Sequence, residues 1–444
     1  MRQFKLLGVA LGAALLVAAC GGGGDGDQAP AVKYTAVVSF GDSLSDAGTY
    51  KVGPVAALGG GMFTVNGITG APGAEPVPSY NWAQLISAQA IGKVNCAARA
   101  GGFGVPVTTV AGCTNYAQGG SRVKNPLGVG NMGGITAALT EPVTTQIANF
   151  QADGNKLTGS ELITVLAGAN DLFAQTETLS QAATAAGGQA LATSLVTQLT
   201  ALVPDAQKAA VQVALVIAIQ TEAVKTTATP TSIIGAAITA AATHAATNGY
   251  STTAVQNAAT IGATAGAAAT SAGNTYAATT GAQNAAAGMV TAATDLVTSV
   301  KLLISLGAKR VVVVNIPDVS QTPMAMATPA SQQALVLALT QAFNSALQEG
   351  LKGTAEVVFV DAFAENRRQL ADPAHYALSN VKDIACNLDK TVNPLASSLA
   401  CNSSNLVAGN TSRYLFADGV HPTPYGHKLL AQYTAQALVA AGWL

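Results

Sequence analysis

The chain has 444 residues and a net charge of -1, and only 10% of its residues are charged whereas 49% are hydrophobic. Nucleic acid is therefore not expected as a partner, because phosphate binding requires a concentrated basic surface. The length is sufficient for one large core with an insertion, and the weakly charged surface suits apolar or lipidic partners.

The first 20 residues predict an export signal. Two basic residues precede the apolar run 6–19, which is short for a bilayer span and is followed by Cys20. The end of this run resembles the lipobox of bacterial lipoproteins, in which the cysteine is acylated and becomes the first mature residue. Residues 21–33 predict a flexible tether. No acidic retention residue follows Cys20, so we expect an outer-membrane lipoprotein of a Gram-negative bacterium, with a secreted or periplasmic protein as the alternative.

Strands and helices alternate through most of the remaining chain. Short β-branched and aromatic runs predict buried parallel strands at 35–40, 162–166, 310–315 and 357–360. Apolar residues at three- and four-residue spacing predict helices at 81–89, 331–351 and 424–441. The pattern predicts an α/β fold, with a parallel sheet covered by helices on both faces and active-site residues at the carboxyl ends of its strands.

Residues 175–300 differ in composition from this core and predict an inserted unit. The segment is rich in alanine and threonine, and no Lys, Arg, Asp or Glu lies between Lys225 and Asp295. Alanine favours helix, so two or more closely packed helices are expected. Their expected breaks are Pro230, Gly235, Gly249, Gly262, Gly266, Gly273, Gly281 and Gly288. The insertion is interpreted as a helical hairpin without a catalytic role, with a lid over the pocket and a surface for lipid or another polymer as alternatives. Its most apolar part, 209–219, is short for a membrane span.

Four short blocks carry candidate catalytic residues. They read Phe-Gly-Asp-Ser-Leu-Ser-Asp at 40–46, Asn-Tyr-Ala-Gln-Gly-Gly at 115–120, Gly-Ala-Asn-Asp at 168–171 and Asp-Gly-Val-His-Pro-Thr at 418–423. In this order they resemble the blocks of the GDSL-type, or SGNH, hydrolases. Stretches at 63–67, 313–317 and 343–347 are similar to the subgroup of secreted lipases, esterases and phospholipase- or lecithinase-like enzymes. The resemblance covers about 34–174 and 301–444 and implies a three-layer α/β/α, flavodoxin-like core.

Ser43 is the candidate nucleophile, because it follows a predicted strand within the Gly-Asp-Ser-Leu block. No glycine follows it two residues later, which disfavours the nucleophile elbow of the α/β-hydrolases. His421 is the candidate general base, with His427 as its competitor. Asp418, three residues before His421, is expected to orient the imidazole and to stabilise its protonated form. The alternative, non-catalytic role for Ser43 is to cap the following helix.

The resemblance also implies an oxyanion hole built from the backbone amides of Ser43 and Gly120 and the side-chain amide of Asn170. Ser43 and Asn170 each follow a predicted strand, and Gly120 is expected to do the same. Gly119 is the alternative to Gly120, and a turn or helix cap is the alternative role of Asn170. Asp42 and Asp171 are expected to hold the surrounding loops without a catalytic role.

Apart from Cys20, four cysteines are expected in an oxidising compartment. Their even number favours two local disulfides, Cys96–Cys113 and Cys386–Cys401, with other pairings open. They include no Cys-x-x-Cys motif and have no nearby histidine, so no metal is expected.

The expected function is hydrolysis of carboxylic esters through an acyl-enzyme on Ser43, without a cofactor. The expected partners are an acyl-ester or lipid substrate and, through Cys20, the membrane; the oligomeric state stays open. Phospholipase, lysophospholipase, sugar deacetylase and acyltransferase activities are alternatives, because the fold and triad do not select the acyl or alcohol part. The non-enzymatic alternative is a surface lipoprotein that binds a partner through its insertion.

Overall fold

The computed structural model describes residues 32–69, 77–131 and 137–444. The predicted signal peptide 1–20 with Cys20 and most of the tether 21–33 lie outside the described residues. In chain order the elements are β1 (Ala36–Gly41), α1 (Gly53–Ala57), β2 (Ile68–Thr69), β3 (Val77–Pro78), α2 (Trp82–Ile91), β4 (Arg99–Gly102), β5 (Val105–Thr109), α3 (Val143–Ala152), β6 (Glu161–Leu166), α4 (Ala169–Thr200), α5 (Lys208–Ala223), α6 (Pro230–Thr247), α7 (Ala258–Tyr276), α8 (Ala282–Ser305), β7 (Val311–Val314), α9 (Pro323–Met326), α10 (Ala330–Leu351), β8 (Val357–Val360), α11 (Ala362–Ala371), β9 (Asn380–Ile384), β10 (Tyr414–Phe416) and α12 (Pro424–Ala440).

A parallel sheet with the strand order β1-β6-β7-β8 forms the centre of the fold. Successive side chains of a strand point to opposite faces of a sheet. Along β7, Val311 and Val313 pack into one hydrophobic cluster with α3, α8 and α10. Val312 and Val314 pack into a second cluster with α2 and α12. Helices therefore bury both faces of the sheet, which confirms the predicted α/β fold.

Local hydrophobic patterning located the strands of this sheet well. Each of the four predicted strands occurs within a residue or two of its expected bounds, and so do the three predicted core helices. Gly120 is an exception to the prediction that three site residues follow strands. It comes after Asn115, which forms only isolated bridges to Ser39 and Ala97, so no strand of the central sheet leads directly into Gly120.

The insertion consists of long helices that continue from the core. The predicted boundary at 175 falls inside α4, and the boundary at 300 falls inside α8. A single π-helical turn, Ala277–Gly281, joins α7 to α8, so the chain is helical from 258 to 305. The insertion also has its own hydrophobic cluster, to which α4, α5, α6 and α7 contribute.

The prediction that glycines break these helices is mostly wrong. Pro230 begins α6 and Gly249 follows its end, but the other six predicted breakers lie within helical turns. Close packing accounts for one of them, since a Cβ on Gly273 would lie only 3.1 Å from the backbone oxygen of Ala183 in α4. A glycine costs a helix about 1 kcal/mol relative to alanine. The tight contact of α7 with α4 offsets that cost here.

One helix of the described chain, residues 258–305, is long and apolar enough to cross a membrane by length and composition alone. Its apolar side chains have another explanation, because they pack against neighbouring helices. Ile261 and Ala265 of α7 lie in the cluster of the insertion. Met289 and Leu296 of α8 lie in the main core beside the sheet. Part of the helix therefore belongs to the packed interior of the fold.

Candidate active site

The loop that carries Ser43 is fixed by the residue two positions before it. Gly41 ends β1 with φ +150°, and a Cβ at this position would lie 2.1 Å from the backbone oxygen of Leu166 in β6. Only glycine fits there. The buried side chain of Gln146 pairs with both backbone groups of Gly41, accepting from its N–H and donating to its carbonyl at 2.8 Å each. The turn that presents Ser43 therefore starts from a rigid point.

Ser43, His421 and Asp418 form a continuous chain of hydrogen bonds. Ser43 Oγ lies 2.9 Å from His421 Nε2, and His421 Nδ1 lies 2.9 Å from each carboxylate oxygen of Asp418. The serine and histidine are 378 positions apart in sequence. Both lie where elements meet the carboxyl end of the sheet, Ser43 after β1 and His421 just before α12. The arrangement has the order nucleophile, base and orienting carboxylate.

Asp418 is held as an anion although it is buried. Burial by itself raises the pKa of a carboxyl group, but the neighbouring His421 and several hydrogen bonds outweigh burial and hold the pKa of Asp418 well below its ordinary value. Its donors include the backbone amides of Ser398 at 3.0 Å, Val420 at 3.0 Å and His421 at 2.8 Å. An ionised carboxylate only accepts hydrogen bonds. His421 must therefore carry its proton on Nδ1, which leaves Nε2 free to accept the proton of Ser43.

His427, the competing histidine, lies inside the fold. Only 1% of its surface is exposed, and its Nδ1 has no hydrogen-bond partner among the described residues. Burial, together with the neighbouring His421, lowers the pKa of His427 to about 3. The ring is therefore neutral at ordinary pH and is not the histidine that contacts Ser43. His244 contacts Tyr250 in the insertion, and His375 contacts Tyr376, so both lie elsewhere.

The three oxyanion donors predicted from the sequence belong to residues that line one cavity, namely Ser43, Gly120 and Asn170. The backbone amides of Ser43 and Gly120 have no acceptor among the described residues. Asn170 is 5% exposed and donates one of its two side-chain hydrogens to the carbonyl of Ser121 at 2.9 Å, which orients the amide and leaves its second hydrogen available. The amide of Gly119, by contrast, donates to Asp46 Oδ2 at 2.9 Å. This geometry favours Gly120 over Gly119.

Asp46 and Asp171 hold the loops around these donors. Asp46 accepts hydrogen bonds from Gly48, Thr49 and Gly119, and so joins the Ser43 loop to the Gly120 loop. Asp171 accepts from the amide of Val123 and pairs with Arg122 at 3.0 Å. Both carboxyl groups are buried. Burial raises the pKa of Asp46 to about 6 and also raises that of Asp171.

Asp42 is a buried carboxyl group that lines the same cavity as Ser43 and His421. Its Oδ1 accepts from the amide of Leu44 at 3.1 Å, whereas its Oδ2 has no partner among the described residues. Burial raises the pKa of Asp42 to about 7, against the opposing effects of the Leu44 amide and His421. The native state therefore binds this proton more tightly than the unfolded chain does.

We expect Asp42→Asn to remove a pH-dependent loss of stability. Because the native pKa lies above the unfolded one, the wild-type free energy of unfolding falls as pH rises between these two pKa values. The asparagine side chain does not titrate, so the variant lacks this decrease. On going from about pH 5 to about pH 8, the free energy of unfolding of the variant should rise by about 2 to 3 kcal/mol relative to that of the wild type. Urea unfolding of both proteins at the two pH values measures this difference. Asp46 and Asp171 are present in both proteins, so their effects cancel. If the difference in free energy of unfolding between variant and wild type is the same at both pH values, Asp42 is already ionised at pH 5.

The candidate catalytic residues open onto a largely apolar cavity of about 660 Å³. This volume lies within the range of small-molecule sites. Its walls include Leu44, Phe63, Phe103 and Ile316, and the Phe63 ring centroid lies 5.0 Å from that of His421. An acyl chain or another apolar group fits such walls. Within the described residues, no cluster of three or more His, Cys, Asp or Glu side chains could hold a metal ion.

Both predicted disulfides are confirmed. Cys96 is bonded to Cys113 and Cys386 to Cys401. The second bond encloses Ser398, whose amide donates to Asp418, and the amide side chain of Asn66 donates to the carbonyls of Ser398 and Cys401. The segment that supports the carboxylate of the triad is therefore fixed at several points.

Sequence reasoning assigned no role to Gln146, Phe63 or Ser398. Phe63 stands in a stretch that matched the family pattern, which is a usable signal for a site residue. Ser398 acts on Asp418 through a backbone N–H that almost any residue carries, so its side-chain identity gave no signal. Gln146 reads as an ordinary helix residue until the fold brings it against Gly41.

Comparison with known proteins identifies the family of the chain. A curated protein of Pseudomonas putida, described as "Uncharacterized protein in trpE-trpG intergenic region", is 29% identical over 163 residues. This match covers 35% of the present chain and 26% of the relative, so it spans about a quarter of that protein's length. The sequence model of the GDSL-like Lipase/Acylhydrolase family matches residues 37–270 and 268–434. The chain therefore belongs to the GDSL-like lipase and acylhydrolase family.

Proposed function

We propose that the protein hydrolyses carboxylic esters through a covalent acyl-enzyme on Ser43. The observation that carries this proposal is the hydrogen-bond chain from Ser43 Oγ through His421 to Asp418, located at an apolar cavity. Family membership supports an esterase- or lipase-type hydrolase. The acyl intermediate and the residues that form it are the further step proposed here.

In the first half-reaction, Ser43 Oγ attacks the ester carbonyl carbon while His421 Nε2 takes the hydroxyl proton. The carbonyl oxygen becomes an oxyanion, which the amides of Ser43, Gly120 and Asn170 stabilise. Collapse of this intermediate breaks the bond to the alcohol, and the protonated His421 returns a proton to the leaving alkoxide. Asp418 stabilises the imidazolium throughout.

In the second half-reaction a water molecule replaces the alcohol. The water oxygen attacks the acyl carbon while His421 takes one proton from the water, and the same donors stabilise the second oxyanion. Collapse then breaks the bond to Ser43 Oγ, which regains a proton from His421. The products are one carboxylic acid and one alcohol, and the enzyme returns to its initial protonation state.

A fluorophosphonate probe tests this proposal directly. The wild-type protein should be labelled, and Ser43→Ala should lose both labelling and turnover of p-nitrophenyl butyrate. Ser45→Ala is a matched control and should retain labelling. Ser45 lies two positions later in the same loop, but its hydroxyl accepts a hydrogen bond from Trp82 Nε1. A folded wild-type protein that neither reacts with the probe nor cleaves the ester would favour the non-catalytic binding protein instead.

We also propose that the protein is exported and anchored through a lipid on Cys20. The support is the apolar run that precedes this cysteine and its lipobox-like ending. Mass spectrometry of the mature amino terminus should find an acylated Cys20, and Cys20→Ser should release the protein from the membrane fraction. An unmodified amino terminus at another residue would contradict the anchor while leaving the proposed reaction intact.

A further inference from the structure

A second cavity of about 1000 Å³ lies beside the catalytic one, between the insertion and the core. Helices α4 and α7 of the insertion line one part of it, and α9 and α10 of the core line another. Four residues line both cavities: Phe173, Thr176, Val319 and Met324. The two cavities therefore meet at these four side chains.

Helix α4 leads from the catalytic donors into the second cavity. Asn170 lies in its first turn, Phe173 one turn later and Thr176 about one turn further. The same helix contributes lining residues as far as Leu191. At about 1.5 Å of rise per residue, the stretch from Phe173 to Leu191 is about 27 Å long. The second cavity thus extends the catalytic cavity in one direction, away from Ser43.

The lining of the second cavity combines apolar side chains with hydroxyl and amide groups, and its apolar part suits an acyl chain. Leu172, Leu335 and Val336 reach it from the main core, whereas Leu191 and Ile233 reach it from the cluster of the insertion. Among the described residues that line it, Glu177 is the only charged one, and its side chain is exposed to solvent. Burial of methylene groups is favourable against such walls.

We propose that this second cavity receives the distal part of a long acyl chain whose carbonyl group is held at Ser43. The proposal rests on the proposed function, and it names long-chain fatty acyl esters as the substrate class. The chain passes between Phe173 and Met324, leaves the catalytic cavity and follows α4. The insertion then acts as one wall of the acyl site, so that ester selectivity depends on helices far from the triad in sequence.

Gly266 provides a substitution that fills the second cavity without disturbing the backbone. It lies within α7 and lines the cavity, and a Cβ placed on it would meet nothing within 4 Å. Gly266→Leu should lower the ratio of kcat/KM for p-nitrophenyl palmitate to that for p-nitrophenyl acetate. The loss of two or three buried methylene groups corresponds to about a 15- to 60-fold fall in this ratio.

Gly235→Leu is the matched control. Gly235 lies within α6, its Cβ would also meet nothing within 4 Å, and it lines neither cavity. This variant should keep the wild-type ratio within about twofold, which corresponds to well under 1 kcal/mol. Both esters are presented in the same mixed detergent micelles to every protein, and circular dichroism verifies that both variants are folded.

The outcomes separate this inference from the proposed function. If the wild type cleaves acetate but not palmitate, or if Gly266→Leu leaves the ratio unchanged, the acyl site is wrong and the serine hydrolase proposal stands. If both glycine variants lower the ratio equally, the effect comes from helix perturbation and the acyl site is again rejected. If the wild type neither cleaves acetate nor reacts with a fluorophosphonate, the proposed function itself fails.

Discussion

Replacing His421 with alanine should lower kcat for ester hydrolysis by a factor on the order of 10⁴ to 10⁶. The reason is that Ser43 Oγ contacts Nε2 of this ring at 2.9 Å, and the described residues offer the hydroxyl no other base. KM should change far less, because His421 forms one part of a large apolar cavity. Single-turnover and steady-state kinetics with p-nitrophenyl butyrate measure the effect.

His427→Gln is the control for this experiment. His427 lies six positions further along the chain, on α12, and is buried and neutral. Its replacement should reduce stability more than turnover, so kcat should stay within about tenfold of the wild type, a change of at most about 1.4 kcal/mol in the barrier. A folded His421→Ala enzyme with near-normal kcat, or the reverse ranking of the two variants, would contradict the assigned general base.

Replacing Asn170 with alanine should lower kcat by about 10² to 10³. The Asn170 amide is oriented by the Ser121 carbonyl at 2.9 Å, and its second hydrogen is the donor expected to stabilise the oxyanion. That bond forms mainly in the transition state, so KM should remain within a few fold. Steady-state kinetics with the same ester over a range of concentrations separate kcat from KM.

Ser121→Ala tests whether a change in the loop that contacts Asn170 is sufficient to cause this loss. The Ser121 hydroxyl is buried without a partner among the described residues, whereas the carbonyl that orients Asn170 belongs to the backbone and survives the substitution. Turnover should therefore change little. Equal losses in both variants would indicate that loop disorder, rather than loss of the donor, lowers the rate.

The core and most of the site could be predicted because their signals are local. A run such as Val311–Val314 can be buried on both faces only within a covered sheet, and the structure places it there. The triad residues stand in short blocks whose order matched a known family. Their meeting over 378 positions depends on the fold, but the order of the blocks already implied it.

The insertion shows where local reasoning fails. Glycine was expected to end helices, yet Gly266 and Gly273 lie inside α7, because the helix continues on both sides of each. At Gly273, close packing on α4 also offsets an intrinsic preference of about 1 kcal/mol. The role of Ser398 was equally hidden. A backbone amide that supports Asp418 can be recognised only after the chain has folded.

The bond between Cys386 and Cys401 encloses the segment whose backbone supports Asp418. The two cysteines are separated by 15 positions in sequence. In the chain-entropy model, a disulfide that closes a loop of this size stabilises the fold by about 3 kcal/mol. A newly made chain whose thiols are still reduced must position the amide of Ser398 against Asp418 with hydrogen bonds alone. We expect that oxidation of these thiols, after the export proposed above, completes the positioning of Asp418, so that reduction of the bond should lower ester turnover.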